Sequence, residues 1–159
     1  MAGVQRLLPQ WRGTLRIVGR ESRLTPGLKQ LVAQLPRPDQ VQWLASLTRE
    51  ELLSQLRSSL ALVSASTEEG FDYPVLEAKA EGIPTVISDI SVHREFHNSS
   101  SLFFPIDDTG ESLAAHIKAL CSGDSTWADL STQGFALAQS MSVERQQVAI
   151  RSHLEEISG

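Results

Sequence analysis

The chain contains a single cysteine, Cys121, among its 159 residues. One cysteine excludes both a disulfide within the chain and a zinc site built from several thiolates. Long apolar runs are lacking as well, and none approaches the ~20 residues that a membrane-spanning helix needs. The first residues, MAGVQRLLPQWRG, do not contain the apolar core of a secretory signal. We therefore expect a soluble protein of a reducing compartment, the cytoplasm.

Basic residues are scarce relative to acidic ones, with 14 Lys and Arg against 19 Asp and Glu and a formal net charge of −5. A surface that binds nucleic acid normally requires a basic face, so the balance argues against a nucleic-acid partner. Hydrophobic residues make up 41% of the chain and charged residues 21%, as in a folded domain with a buried core.

Short apolar runs alternate with segments of helical periodicity along the chain. Strands are predicted at residues 15–18, 41–44, 60–63, 84–88 and 102–104. Helices are predicted at residues 4–11, 25–35, after a capping box at 48–51, from Pro74 to a stop at Gly82, and at 109–121, 126–140 and 143–157. This alternation implies right-handed βαβ units, and hence an α/β fold with a Rossmann-like, open, mostly parallel sheet and flanking helices.

Ligands of an open parallel sheet bind beyond the carboxyl ends of its strands, and two loops there carry suitable residues. The first loop, with Gly19 and Arg20, could bring backbone amides and a guanidinium to an anion, although a plain surface turn explains it too. In the second, Gly70 allows close backbone approach and Pro74 begins a helix whose positive end favours an anion. Glu69 precedes this turn, and Glu77 lies about one helical turn into the helix.

Carboxylates suit sugar and ribose hydroxyls because each oxygen accepts hydrogen bonds from vicinal hydroxyl groups. The spacing of Glu69 and Glu77 therefore fits a carbohydrate ligand. A solvated acidic loop followed by an ordinary helix explains the same spacing equally well.

The run EEGFDYPVLEAKAEGIPTVISD resembles the signature of the retaining GT-B glycosyltransferases of the large group 1 (family 4) type. That signature is Glu-Gly-Phe-Gly-Leu-Pro, two further residues, Glu-Ala, and a Gly-x-Pro ahead of a strand. Its two glutamates are separated by seven residues, as Glu69 and Glu77 are here. Residues 91–108 resemble the family's following loop, strand and Asp-rich turn, and residues 41–66 its preceding strand, helix and strand. The resemblance covers nearly the whole chain.

The resemblance implies that residues 1–159 form a single, partial C-terminal domain that binds a nucleotide sugar for polysaccharide biosynthesis. By analogy, Glu69 is the catalytic residue that contacts the transferred sugar and supports its charge at the transition state, and Glu77 binds the ribose hydroxyls. The family transfers a glycosyl group with retention and generally without a metal, so no cofactor is implied. The remaining donor-binding residues by this analogy are Gly19, Arg20, Gly70, Phe71, Asp72, Tyr73, Pro74 and Val75, with backbone amides around residues 72–74 holding the diphosphate.

Asp72-Tyr73 departs from the Gly-Leu that the family has more often at this point of the signature. A carboxylate near a diphosphate costs roughly 3 kcal/mol of unscreened repulsion at ~5 Å and an effective dielectric of ~20. We expect either that the Asp72 side chain points away from the ligand or that donor affinity suffers.

The first strand of the family's domain has no counterpart, and it is central in a sheet ordered 3-2-1-4-5-6. Its absence predicts a gap between the strands at 15–18 and 60–63, with unpaired backbone groups on each side. Three outcomes are open. The two strands pair directly, or another chain supplies the strand, which includes a homo-oligomer formed by strand pairing. Alternatively, the chain is a piece of a larger protein.

The acceptor-binding N-terminal domain of GT-B enzymes is also absent, so catalysis by this chain alone is not expected. The implied partners are the nucleotide-sugar donor and a missing acceptor domain or separate chain, with membrane association only through those missing parts. A non-catalytic nucleotide-sugar-binding or regulatory module that pairs with a separate acceptor-binding chain is the alternative, and a relic without a ligand is a third interpretation.

Several other side chains have simpler predicted roles. Cys121 is expected in the core and Lys79 at a solvated position of its helix. Trp43 and Trp127 are expected to pack in the interior. His93 and Glu95 flank the predicted sugar pocket, where ligand contact and loop structure are both open interpretations.

Overall fold

The computed structural model of the chain describes residues 11–21, 25–106, 109–123 and 125–141. The helix predicted at 143–157 lies outside these residues, as does the one predicted at 4–11 except for its last residue. The strands are β1 (Leu15–Val18), β2 (Val41–Leu44), β3 (Leu62–Ser64), β4 (Thr85–Ser88) and β5 (Leu102–Phe104). The α-helices are α1 (Thr25–Ala33), α2 (Arg49–Arg57), α3 (Tyr73–Ala80), α4 (Ser91–His97), α5 (Glu111–Cys121) and α6 (Thr126–Ser140), and a short 3-10 helix, Pro38–Gln40, precedes β2.

All strand pairs of the described residues are parallel. β1 pairs with β2 from Leu15 opposite Val41 to Val18 opposite Leu44. β4 lies between β3 and β5 in a second, three-stranded group. Parallel strands joined through helices confirm the predicted α/β, Rossmann-like architecture.

The strands divide into two groups because β1 and β3 do not pair with each other. Both present an edge to which no described strand bonds, and each carries an exposed valine: Val18 is 44% and Val63 37% exposed. A side-chain bond from Arg16 Nη1 in β1 to Ser58 Oγ, just after α2, is 2.9 Å long. Direct pairing, one of the three outcomes expected for the missing strand, therefore does not occur between these strands.

The main core lies on β4, whose four residues are all buried. Val86 and Ile87 are fully inaccessible, and on one face Val86 packs with buried residues of β5, α5 and α6. Trp127 packs against this cluster and donates its indole N–H to the Leu60 carbonyl at 2.8 Å. Trp43 packs against a smaller cluster beside β1 and β2. The interior roles predicted for both tryptophans are confirmed.

Local signals define the ends of two helices. The Thr48 hydroxyl accepts the Glu51 amide at 3.2 Å, and Glu51 Oε2 accepts the Thr48 amide at 2.8 Å, which is the predicted capping box at the start of α2. These hydrogen bonds lower the pKa of Glu51. Gly82, with a φ of +70°, ends α3 as predicted, because its lack of a Cβ permits the left-handed backbone that closes the helix.

The predictions for residues 91–97 and for Cys121 were wrong. The segment Ser91–His97 forms helix α4, where a loop was expected. Cys121 is exposed and does not belong to the core. The buried residues of α5 are Ala114, Ile117 and Leu120, and Cys121 is the last residue of this helix.

Candidate donor-binding site

The loop between β3 and α3 ends at Asp72, the N-cap of α3. Asp72 Oδ1 accepts the Val75 amide at 3.4 Å, and the Tyr73 amide donates to the Phe71 carbonyl at 3.0 Å. Pro74 has no N–H to offer. Of the amides expected at residues 72–74 to hold a diphosphate, that of Tyr73 is thus occupied and Pro74 has none, which leaves that of Asp72.

The loop just before the helix has the open amides instead. Within the described residues, the backbone N–H groups of Gly70, Phe71 and Asp72 have no hydrogen-bond acceptor. Gly70 is exposed and has no side chain to obstruct an approaching ligand. An anion at this end of α3 would therefore be bound by the loop amides of residues 70–72, assisted by the positive end of the helix dipole.

The Asp72 side chain points away from the loop surface and is only 4% exposed. Its Oδ2 accepts a hydrogen bond from Ser64 Oγ, at the end of β3, at 2.5 Å. The same oxygen lies 3.1 Å from His93 Nε2. Of the two outcomes expected for this carboxylate, the structure shows the first: it turns inward and has buried partners.

His93 is fully buried in α4 and reaches two elements. Its Nδ1 lies 2.8 Å from the Ser88 carbonyl, at the end of β4, while Nε2 faces Asp72. Sequence reasoning placed His93 at the edge of a sugar pocket and missed this pair, since only the packing of α4 brings the two residues together. A histidine twenty-one residues after an N-cap aspartate carries no local signal.

Helix α4 is held in place by Arg94. Its guanidinium donates to both Asp89 oxygens, at 2.6 and 2.7 Å, and lies 3.9 Å from the centre of the Phe103 ring. The bonds from Arg94 lower the pKa of Asp89. This clamp fixes α4 to the carboxyl end of β4 and so helps to position His93.

The two glutamates of the signature differ in environment. Glu69 is exposed, and its Oε1 accepts a hydrogen bond from Ser66 Oγ at 2.7 Å. Glu77 is 32% exposed, and its Oε1 accepts from Arg49 Nη1, at the start of α2, at 3.0 Å. Both retain a carboxylate oxygen with no partner among the described residues. Arg49 was not anticipated from the sequence.

Aromatic rings support the loop from one side. The Phe71 ring packs edge-on against Tyr73, with centroids 5.0 Å apart, and against Phe96 of α4, at 5.1 Å. Phe71 is half-buried, whereas Tyr73 is 68% exposed beside the open amides. Phe71 therefore anchors the loop by its side chain, and its backbone N–H remains available to a ligand.

Lys79 is buried, which contradicts its predicted solvated position. It is 1% exposed, and its Nζ donates to Ser100 Oγ at 2.6 Å and lies 3.2 Å from His97 Nδ1. Burial lowers the pKa of Lys79 to about 7. Gly134 of α6 leaves space for the Lys79 side chain, because an added Cβ at this glycine would lie 3.0 Å from Lys79 Cγ. Close packing of α3 against α6 thus removes Lys79 from solvent.

Gly19 and Arg20 line a separate open groove of about 350 Å³ at the carboxyl ends of β1 and β2. Gly19 has a φ of +144°, a conformation that favours glycine, and its amide donates to the Leu44 carbonyl at 3.1 Å. Residues 69–77 do not line the groove. Its other lining residues are Val18, Ser46, Leu47 and Leu52.

None of the helices in the described part of the chain combines the length and the apolar character needed to cross a membrane.

Comparison with protein families gives a match to the family described as Glycosyl transferases group 1 over residues 5–136. Among curated proteins, the chain is 36% identical over 81 residues to the O-antigen chain mannosyltransferase RfbU of Salmonella typhimurium, covering 51% of this chain and 23% of that enzyme. It is 35% identical over 83 residues to a GDP-mannose:cellobiosyl-diphosphopolyprenol alpha-mannosyltransferase of Xanthomonas oryzae, covering 52% of this chain and 21% of that enzyme. The chain thus spans less than a quarter of the length of either relative.

Among solved structures, Anabaena HepE in complex with UDP-glucose matches with a TM-score of 0.79 at 21% sequence identity. The match covers 95% of this chain and 43% of that one. At this identity the likeness concerns the fold.

Proposed function

Because the chain belongs to the group 1 glycosyl transferases, which have the GT-B fold, we propose that it is the donor-binding lobe of a retaining glycosyltransferase. The ligand is a nucleoside-diphosphate sugar, whose glycosyl group is transferred to an acceptor held by another domain or chain. The observation that carries this proposal is the β3–α3 loop, which combines open amides at residues 70–72 with two carboxylates, Glu69 and Glu77, that each keep an oxygen available.

Each part of the loop has a chemical task in this proposal. The amides of Gly70, Phe71 and Asp72 bind the diphosphate, which leaves as the glycosyl bond breaks. Glu69 faces the transferred sugar and supports the positive charge that develops at its anomeric carbon. Glu77 accepts the ribose hydroxyls through Oε2, while Arg49 holds Oε1. The groove with Gly19 and Arg20 takes the base or a phosphate. No metal is required.

The names of the curated relatives guide the choice of donor. Both are mannosyltransferases, and one is named for GDP-mannose. HepE was solved with UDP-glucose. We propose a hexosyl donor and rank GDP-mannose first among the candidates.

Within the part of the chain that the structure describes, β1 and β3 each have an edge without a neighbouring strand, which supports the interpretation that the sheet is incomplete. Exposed Val18 and Val63 are apolar side chains of the kind that a further strand would cover. We propose that the strand and the acceptor-binding domain come from further polypeptide, in the same chain or another. The same edges favour a second candidate, a non-catalytic donor-binding or regulatory module that pairs with a separate acceptor-binding chain.

Isothermal titration of the chain with GDP, UDP, GDP-mannose and UDP-glucose tests the proposal. We expect at least one nucleotide to bind, and Glu77→Gln to weaken its binding about tenfold through loss of the ribose contact. Glu81→Gln is the matched control, because Glu81 also pairs with an arginine of α2, Arg57 at 2.6 Å, but lies at the opposite end of α3. Equal losses in the two variants would argue against the ribose contact, and absence of binding by every nucleotide would overturn the proposed function.

A further inference from the structure

Asp72, the N-cap of α3, forms a buried pair with His93. Their side chains are 4% and 1% exposed, and His93 Nε2 lies 3.1 Å from Asp72 Oδ2. Asp72 caps α3 with its other oxygen, Oδ1. A histidine of α4 is thereby connected to the start of α3 through one carboxylate.

The hydrogen-bond partners determine where the histidine carries protons. His93 Nδ1 lies 2.8 Å from the Ser88 carbonyl, which can only accept, so Nδ1 is protonated. Ser88 Oγ, 3.3 Å from the same nitrogen, gives its own proton to the Ser66 carbonyl at 2.6 Å and is an acceptor too. Among the described residues, no group donates a hydrogen bond to Nδ1.

The second nitrogen, Nε2, also faces an acceptor. Asp72 Oδ2 is a carboxylate oxygen that receives the Ser64 hydroxyl at 2.5 Å. A neutral imidazole protonated at Nδ1 would direct the lone pair of Nε2 at an ionised carboxylate inside the protein, which is costly. A proton therefore lies between Nε2 and Oδ2. With this proton, the pair as a whole carries no net charge.

We propose that His93 is a positioning residue for the donor diphosphate. By sharing a proton with Asp72, it allows a carboxylate to cap α3 and orient the loop amides of residues 70–72 without placing an uncompensated negative charge beside the phosphates. The inference rests on the proposed function, because it assumes that those amides bind the diphosphate.

A cycle of variants separates charge compensation from general damage. The side chain introduced by His93→Gln can still donate a hydrogen bond to Asp72. It cannot carry a positive charge, so the negative charge of the buried Asp72 carboxylate is left uncompensated. Asp72→Asn removes that charge, and its amide oxygen still accepts the Val75 amide while its NH₂ donates to a neutral His93. His116→Gln is the control, since His116 likewise bonds a backbone carbonyl, that of Phe103 at 2.9 Å, but belongs to α5.

Binding of UDP and GDP is compared with binding of uridine and guanosine, which have no phosphate. We expect His93→Gln to weaken diphosphate binding about tenfold, with less than a twofold effect on the nucleosides and none from His116→Gln. In the Asp72→Asn background, His93→Gln is expected to change neither affinity. Equal losses for nucleotide and nucleoside, or the same tenfold loss in the Asp72→Asn background, would overturn the proposal.

Nitrogen-15 shifts of the His93 ring, assigned by comparison with His93→Gln, test the proton placement without any ligand. We expect Nδ1 to be protonated in the wild-type chain and Asp72→Asn to change the Nε2 signal alone. A ring without a proton on Nδ1 would overturn the proposed pair. Failure of the wild-type chain to bind UDP or GDP would overturn the proposed function and, with it, the positioning role of His93. The ring shifts are measured without a ligand, so they show separately whether the proton placement is wrong.

Discussion

Lys79 Nζ and His97 Nδ1 lie 3.2 Å apart in the interior, and each side chain belongs to a residue that is 1% exposed. No carboxylate of the described residues forms an ion pair with Lys79. Burial lowers the pKa of Lys79 to about 7. Burial, with smaller contributions from Lys79 and His93, lowers the pKa of His97 to about 4. Both groups thus favour their neutral forms in the folded chain.

Replacing Lys79 with methionine is expected to stabilise the chain. At pH 7 and below, protonation of this lysine opposes folding by up to roughly 5 kcal/mol, since its pKa falls from about 10.5 to about 7 on burial. Methionine fills similar space without a charge but loses the bond to Ser100, so we expect a net gain of about 2 kcal/mol at pH 7. Urea unfolding measures the change, with Lys118→Met, at an exposed position of α5, as control. A loss of stability of the Lys79→Met variant at pH 7 would contradict the claim that protonation of the buried Lys79 opposes folding.

The stability of the wild-type chain should rise with pH in two windows. Between pH 4 and 6.5 the unfolded chain protonates His97 and the folded chain does not, and between pH 7 and 10.5 the same holds for Lys79. Each group contributes a slope of up to about 1.4 kcal/mol per pH unit within its window. Asp72, which opposes the lowering of the His97 pKa, and His93 are the other titratable groups that act on His97. Urea unfolding across this range checks both windows. Lys79→Met should flatten the upper window and narrow the lower one slightly, because Lys79 contributes to the lowered pKa of His97. If stability still rises between pH 7 and 10.5 in that variant, the pH dependence in this range belongs to a group other than Lys79.

Replacing Glu69 with glutamine should separate sugar from nucleotide recognition. Glu69 is exposed and precedes the open amides, so the proposed function assigns it to the transferred sugar alone. We expect Glu69→Gln to leave GDP and UDP binding within twofold and to weaken binding of the matching nucleotide sugar about fivefold, because a neutral amide is a poorer acceptor for sugar hydroxyls. Titration of both ligands measures the ratio. Glu68→Gln, at the exposed neighbouring position, is the control. Equal losses of affinity for nucleotide and nucleotide sugar would contradict the assignment of Glu69 to the transferred sugar.

The bounds of α3 and the start of α2 were predictable because their signals are local. Pro74 near the start and Gly82 after the end of α3 define that helix within a single segment of chain, and the Thr48–Glu51 capping box acts over three residues. The strand near residue 60 was predicted too early: β3 starts at Leu62, and the carbonyl of Leu60 receives the Trp127 indole instead of extending the strand.

The environment of the candidate site could not be predicted in the same way. Of the amides expected to bind phosphate, that of Tyr73 is bonded to the Phe71 carbonyl. The Asp72 side chain turns inward because Ser64 and His93 converge on it from β3 and α4. The role of Arg49 beside Glu77 likewise depends on how α2 packs against α3. Each contact joins residues that no spacing rule connects.

The amino-acid sequence by itself determined the order of strands and helices, the parallel architecture that this order requires, and the segment that carries both signature glutamates. These properties follow from short-range hydrogen bonding, backbone preferences and the periodic placement of apolar residues. Only the tertiary structure decided that Lys79 is buried against Gly134, that Asp72 lies beside His93 in the interior, and that no described strand pairs with the second edge of β1 or β3. Those outcomes depend on which elements, distant in sequence, pack against one another and exclude water from the contacts between them. Such packing is a property of the folded chain as a whole.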